Sequence, residues 1–271
     1  MTSDLRMPAV AGRFYPRDPH TLRRDVLKYI SPDVSSRIEA IGCVAPHAGY
    51  MYSAYVAGAV YSQIEIPNRV IVLCPNHTGM GHPLAIMTST RWQTPLGEVP
   101  ADPELGAVLL QRFPALREDS AAHRSEHAIE VQLPFLQIRQ PDLSFVPIAI
   151  GTREFAMLRG LGEAIADVIS AQPDKVLVVA SSDMNHYESD AVTRIKDNMA
   201  IERVLALDPR ALWEVVMNED ISMCGFGPSV AMLTAAQRLG ATSATLVKYA
   251  TSGEISGDYE KVVGYAGIIV S

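Results

Sequence analysis

Short apolar runs bounded by turn residues, each separated from the next by a stretch of helical spacing, restrict this chain to a sheet covered by helices. The clearest runs are Ile38 to Ala45, Arg69 to Cys74, Leu143 to Ile150, Lys175 to Ser181, Thr245 to Tyr249 and Val262 to Val270. Amphipathic stretches cover Tyr52 to Gln63, Pro103 to Arg112, Ala128 to Gln137, Arg153 to Ile169, Ala191 to Ala206, Pro209 to Met217 and Pro228 to Leu239. Strand followed by helix is the prevailing order, so the expected fold is α/β, with a central, mostly parallel sheet flanked by helices. The segment Leu84 to Val99 is punctuated by Pro95 and Gly97 and reads as a strand pair or excursion on that core. No repeat, low-complexity tract or Gly/Ser linker divides the 271 residues, which predicts one domain over 1–271.

Composition narrows the function classes. With 48% hydrophobic and 20% charged residues the chain has ample material for a core, and a formal charge of −7 offers no basic stripe for a phosphate backbone, so nucleic acid is not an expected partner. No apolar run reaches about 18 residues, the length of a membrane span. The opening Met1-Thr2-Ser3-Asp4 is polar and acidic, so neither a membrane helix nor a signal peptide is expected, and the cytoplasm is the expected compartment. Three cysteines without a CxxC pair argue for free thiols, with Cys43 and Cys74 as small core residues inside apolar strands.

Chemistry gathers at the strand ends. His47 follows the run ending at Ala45, His77 follows the run ending at Cys74, and His186 follows the run ending at Ser181. Any one of them is explained as a turn or capping residue. Recurrence on three exits among seven histidines points to a shared site, because parallel neighbours lie about 5 to 10 Å apart along one rim and their imidazoles can meet around a metal ion or an anionic oxygen. Asp183 shares the third exit and can orient an imidazole or bind a metal directly, against the ordinary reading of a turn-initiating aspartate. Cys224 lies in a Gly-rich loop before a helix start, which lowers a thiol pKa, so it reads as a thiolate ligand or a reactive thiol, against the ordinary reading of a buried loop residue. His123 and His127 are spaced i, i+4, but Ser125 as N-cap would make them straddle a helix boundary, so chelation by that pair is not expected. Glu130 and Gln132 have an ordinary explanation as helix-surface groups, while Glu126, His127 and Glu130 can also serve the pocket as a base or as partners of its ligands. Tyr50 and Tyr52 are read as core packing or as rings at the mouth. The nucleotide-binding glycine motifs, GxSxG and HExxH are absent, and Ser181 and Ser182 lack an evident oxyanion loop.

Several motifs in fixed order resemble the Memo family, called component B of the AmmeMemoRadiSam system in prokaryotes. They are Arg6-Met7-Pro8-Ala9-Val10-Ala11-Gly12-Arg13-Phe14-Tyr15-Pro16, Pro46-His47-Ala48-Gly49-Tyr50, Pro75-Asn76-His77-Thr78-Gly79, Thr94-Pro95-Leu96-Gly97, the segment Glu126 to Phe135, Ser181 to Tyr187, Cys224-Gly225 and Val263-Gly264-Tyr265-Ala266. The resemblance implies a fold similar to that of class III extradiol dioxygenases. It also implies metal-site positions at His47, His77 and Cys224, with Asp183 and His186 nearby. A thiolate in place of the dioxygenase carboxylate would favour iron, copper or zinc and alter the open face that ring cleavage needs. Eukaryotic members often carry paired histidines where this chain has Asn76-His77, so the peptide-binding and signalling roles described for those members are not carried over.

Three functions follow as expectations. The leading one is a transition-metal protein, iron foremost, with His186, Asp183 and His127 handling protons in an oxygenase-like or redox step on an unidentified substrate, and with AmmeMemoRadiSam components as partners. The second is a non-catalytic module that binds a peptide or small ligand in the same pocket. The third is ring cleavage of catechols.

Overall fold

Side chains alternate along each apolar run between two hydrophobic layers. Val44, Ile71, Leu73, Val146, Ile148, Val178 and Ala180 pack on one face, while Cys43, Ala45, Val70, Val72, Cys74, Leu177 and Val179 pack on the other. A strand buried on both faces must carry helices on both, and it does. The structure, a computed structural model, describes residues 5–31 and 36–271. Residues 1–4, on which the signal-peptide reading rests, lie outside the described residues.

The strands are β1 (Leu5–Arg6), β2 (Gly42–Ala45), β3 (Arg69–Pro75), β4 (Leu84–Ile86), β5 (Arg91–Thr94), β6 (Gly97–Pro100), β7 (Arg117–Glu118), β8 (Ser144–Ile150), β9 (Val176–Ser181), β10 (His186–Glu188), β11 (Ala244–Thr251) and β12 (Val262–Val270). The helices are α1 (Pro19–Tyr29), α2 (Tyr50–Gln63), α3 (Pro103–Arg112), α4 (Leu133–Arg139), α5 (Phe155–Ser170), α6 (Asp190–Leu205), α7 (Pro209–Asn218), α8 (Phe226–Arg238) and α9 (Gly253–Ser256). Among the described residues nine strands form the main sheet, in the order β10-β12-β2-β9-β3-β8-β4-β7 with β11 paired to β12. Helices α3, α5, α6, α7 and α8 cover one face, and α1, α2 and α4 cover the other.

The expected parallel sheet is the centre of a mixed one. Strands β2, β9, β3 and β8 run parallel, whereas β12 joins β2 and β4 joins β8 antiparallel. The excursion between β3 and α3 supplies β4 to the main sheet, and its hairpin β5-β6 pairs with β1 in a separate three-stranded sheet. Sequence patterning passed over α1, whose start is nevertheless marked: Asp18 accepts the Thr21 amide at 2.8 Å and Pro19 opens the helix.

One expected helix, Ala128 to Gln137, forms only in its second half. Residues 128–132 form turns and α4 begins only at Leu133. The reason is that Glu130 and Gln132, read as surface groups of a helix, and Glu126, read as a group serving the pocket, are wholly buried and each is drawn to partners far away in sequence. The Glu130 carboxylate ion-pairs with the Arg6 guanidinium and accepts the amides of Ala9 at 2.8 Å and Val10 at 3.0 Å and the Tyr15 hydroxyl at 2.6 Å. Arg6 also donates to the His123 carbonyl at 3.2 Å and lies 4.2 Å above the Trp92 ring. One buried pair thus ties residues 6–15 to the 123–130 turn and to the β5-β6 hairpin.

Removing one partner of such a pair strands the other in low dielectric. Arg6→Ala is expected to lower unfolding free energy by about 3–5 kcal/mol. Arg159→Ala, at the exposed Arg159–Glu163 pair, is expected to cost under about 1 kcal/mol. Urea unfolding of both variants measures the contrast, and equal losses would contradict it.

A candidate metal centre at the strand carboxyl ends

Strand β9 lies between β2 and β3, with Ala45 beside Ser181 and Leu73 beside Ala180. The three exits therefore share one rim, as the sequence predicted. A cavity of about 500 Å³ opens there, lined among others by Phe14, His47, His77, His127, Asp183, His186 and Cys224. One ligand atom each from His47, His77 and Cys224 lies within 4.8 Å of the other two.

The orientation of His47 follows from a hydroxyl with one proton to give. Ser181 Oγ lies 2.7 Å from the Ala128 carbonyl, which can only accept, so its proton points there. Gln132 Nε2 donates to the same oxygen at 2.8 Å. His47 Nδ1, 2.9 Å away, must then carry the proton it shares with Ser181, and the lone pair sits on Nε2, 3.3 Å from Cys224 Sγ. Burial, then the neighbouring His127 and His77, hold the His47 ring well below the usual imidazole range, so it stays neutral.

His77 is held by a carboxylate instead. Its amide donates to Glu126 Oε2 at 2.6 Å and its Nδ1 faces Oε1 at 2.9 Å. Burial alone would raise Glu126, but the His77 hydrogen bonds and charge, with the Ala128 amide, bring it down to about 2. An ionised acceptor fixes the proton on Nδ1 and leaves Nε2 of His77 free. Burial works against a charged His77 ring, yet Glu126 carries it above its ordinary value. His127 Nδ1 lies 3.3 Å from the same oxygen, and its ring stacks on that of His77 at 4.8 Å, with Phe14 edge-on at 4.7 Å. Burial leads in lowering the His127 ring.

The sulfur is placed by a close approach. A Cβ on Gly225 would come within 2.4 Å of the Ser181 carbonyl, so only glycine lets the Cys224 loop press on the end of β9. The Asp183 amide donates to Cys224 Sγ at 3.3 Å, while Asp183 Oδ1 accepts the amides of His47 at 2.7 Å and Ala48 at 3.3 Å. Burial leads in raising the Asp183 carboxyl. The sequence suggested that the start of α8 would lower the Cys224 thiol, but burial and the Asp183 charge push it well above its ordinary value.

His186 stands on the cavity wall outside the close group. Its Nδ1 donates to the Ser222 carbonyl at 2.9 Å. His127, from the turn before α4, takes the place near His47 and His77 that strand periodicity assigned to His186, with its ring 5.4 Å from that of His47. His123 is excluded from the site: it is buried, its Nε2 bonds the Ala85 carbonyl at 3.2 Å, and burial takes it down to about 4. Tyr50 is core, donating to the Val131 carbonyl at 2.9 Å. Cys43 and Cys74 are buried and unbridged.

Sequence reasoning missed Ser181 and Gln132 as the partners that orient His47. A signal existed: residues 130 and 132 stand about 200° apart on a helix, so a helical reading cannot put both on its outer face. As for fit, two imidazoles with locked Nδ1 protons and a thiol form a borderline-soft set of two nitrogens and one sulfur, suited to iron, copper or zinc. His77, Glu126 and His127 also bring ligand atoms within 4.8 Å of one another, but there the Glu126 oxygens already accept from His77, His127 and Ala128.

A three-layer α/β sheet protein with histidine and cysteine donors at the parallel strand ends is the class that fold and site define. Within it the chain belongs to the Memo family, whose sequence model, described as Memo-like protein, matches residues 6–269. A MEMO1 family protein of Methanopyrus kandleri is 41% identical over 277 residues, covering 97% of this chain and 98% of the relative. One from Methanosarcina barkeri is 42% identical over 267 residues, covering 98% and 100%. A crystal structure of an uncharacterized protein from Escherichia coli K12 aligns with TM-score 0.54 at 13% identity, over 84% of this chain and 98% of the other, and shows the shared fold alone. Among the described residues no helix is long and apolar enough to cross a membrane.

The Glu126 carboxyl, lowered from 4.5 to about 2, adds stability that is complete above its unfolded value and is lost as pH falls toward the folded one. Wild type should therefore exceed Glu126→Gln in unfolding free energy above pH 4.5, the gap closing as pH falls toward about 2. Denaturant titrations of both proteins over that range provide the check; a gap that does not change with pH speaks against the assignment.

Proposed function

We propose that this protein binds a transition metal, iron before copper or zinc, through His47, His77 and Cys224, and uses it in an oxygenase-like or redox step on a small substrate. The observation that carries the reading is the direction of the His47 ring: its Nδ1 is tied to Ser181, and its unprotonated Nε2 faces Cys224 Sγ at 3.3 Å. Bound among these donors, such an ion supplies Lewis acidity and, in the case of iron or copper, one-electron chemistry.

The remaining residues have proton work. Burial raises the Asp183 carboxyl, which can exchange a proton beside the donors while its Oδ1 steadies the backbone of His47 and Ala48. His186 keeps its Nδ1 on the Ser222 carbonyl, which leaves Nε2 to take or give a proton at the wall. His127 lines the cavity beside His47 and His77, with Phe14 against its ring. The wider relation to class III extradiol dioxygenases is part of this reading and rests on the sequence resemblance; Cys224 in place of a carboxylate sets the chemistry apart from ring cleavage.

Anaerobic loading followed by elemental analysis is the test. His47→Ala and Cys224→Ser are each expected to lose most bound metal, and Ser181→Ala to weaken affinity by about 10- to 100-fold by releasing the His47 ring. Metal content equal to wild type in both ligand variants would refute the proposal.

A further inference from the structure

A buried carboxyl outside the donor group has no part in the reading so far. Asp197 projects from α6, is wholly buried, and accepts the Asn185 amide at 2.7 Å on Oδ1 and the Tyr249 hydroxyl at 2.7 Å on Oδ2. Arg194, whose charge reaches it, pairs instead with Asp190 and Glu254. Gly264 of β12 makes room for it: a Cβ there would fall 1.8 Å from Asp197 Oδ2. A buried carboxyl to which nearby backbone must give room, and which has no direct ion pair among the described residues, costs stability unless the order it imposes is used.

What it orders is the loop bearing Asp183 and His186. The Asn185 amide is fixed by Asp197, and its carbonyl accepts the Gly264 amide at 3.0 Å. With its backbone held, the Asn185 side chain reaches across to the Cys224 loop, where its Oδ1 accepts the Ser222 amide at 3.0 Å and hydroxyl at 2.9 Å. Ser222 in turn grips His186 twice: its Oγ accepts the His186 amide at 2.7 Å and its carbonyl accepts Nδ1 at 2.9 Å. The next residue, Tyr187, has φ 64°, a left-handed conformation that a bulky side chain adopts only when its surroundings impose it.

We propose that Asp197 is a positioning residue for the pocket: by holding the Asn185 backbone it sets, through the Asn185–Ser222 pair, the ring of His186 with its proton on Nδ1 and Nε2 presented to the cavity. The chemical use of that orientation rests on His186 as a proton carrier, but the orientation itself does not. Burial carries the Asp197 carboxyl up to about 7, so asparagine, a neutral isostere with one oxygen for the Asn185 amide, is a fitting conservative replacement.

Long-range 1H–15N spectra of 15N-histidine-labelled full-length protein, without added metal, report the tautomer of each ring. Wild type is expected to show His186 with the proton on Nδ1. Asp197→Ala and Asn185→Ala should each lower the ratio of that tautomer to the other by about three- to tenfold, the worth of one hydrogen bond. Asp197→Asn should keep it within about twofold, and the His47 ring should be unchanged throughout, which general loosening of the fold would not allow. A folded Asp197→Ala or Asn185→Ala with the wild-type His186 ratio overturns the proposal, as does an equal loss in Asp197→Asn; if Asp197→Ala does not fold, Asn185→Ala and Asp197→Asn decide. Cobalt(II) titration of wild type, read at the thiolate charge-transfer band, separately tests the donor set, so the failure of one reading leaves the other standing.

Discussion

Everything at the carboxyl rim depends on β9 running parallel between β2 and β3 in a single register. Ser181 sits beside Ala45, on the face shared by Leu177 and Val179, which is the face covered by Gln132 and the 126–132 turn. A slip of one residue would carry Ser181 to the opposite layer and take the hydroxyl away from His47. The apolar alternation that builds the two cores is therefore also what aims the imidazole, because a shift in pairing would turn Val178 and Ala180 out of their own layer as well.

The second support is a pair of buried acids one helical turn apart in sequence but not on a helix. Glu130 gathers Arg6, two backbone amides and the Tyr15 hydroxyl, so that residues 6–15 lie against the turn. Glu126 faces the other way and accepts from His77 and from the amides of His127 and Ala128. Phe14 comes to rest on His127 because the strap that Glu130 holds delivers it there. Packing at the N-terminal segment and orientation at the pocket are thus two outcomes of one short turn.

Much of this was legible from residues alone. The runs at Arg69, Leu143, Lys175 and Val262 became β3, β8, β9 and β12 within about a residue or two, since β-branched residues buried on both faces leave few alternatives. The strand-exit histidines pointed to the rim for the same reason. What periodicity could not supply was anything decided by distant partners: the unwinding of 128–132 under the pull of Arg6 and Ala45, the exchange of His127 for His186 at the centre, and the rise rather than fall of the Cys224 thiol once it is enclosed. Gln132 shows the limit well, for its amide bonds the carbonyls of Ala45 and Pro46 and the hydroxyl of Ser181, each far from it along the chain.

The three proposed donors differ in what they owe to the sheet. His47 and His77 leave the ends of central strands and are steadied by groups that the cores hold in place, whereas Cys224 stands on a loop whose footing is Gly225 against β9 and the Asp183 amide. Donor hardness can consequently drift at position 224 while the strands and both nitrogens stay fixed. A carboxylate there would recreate the two-histidine, one-acid arrangement of non-haem iron sites, so one scaffold can host separate chemistries by exchanging a single loop atom.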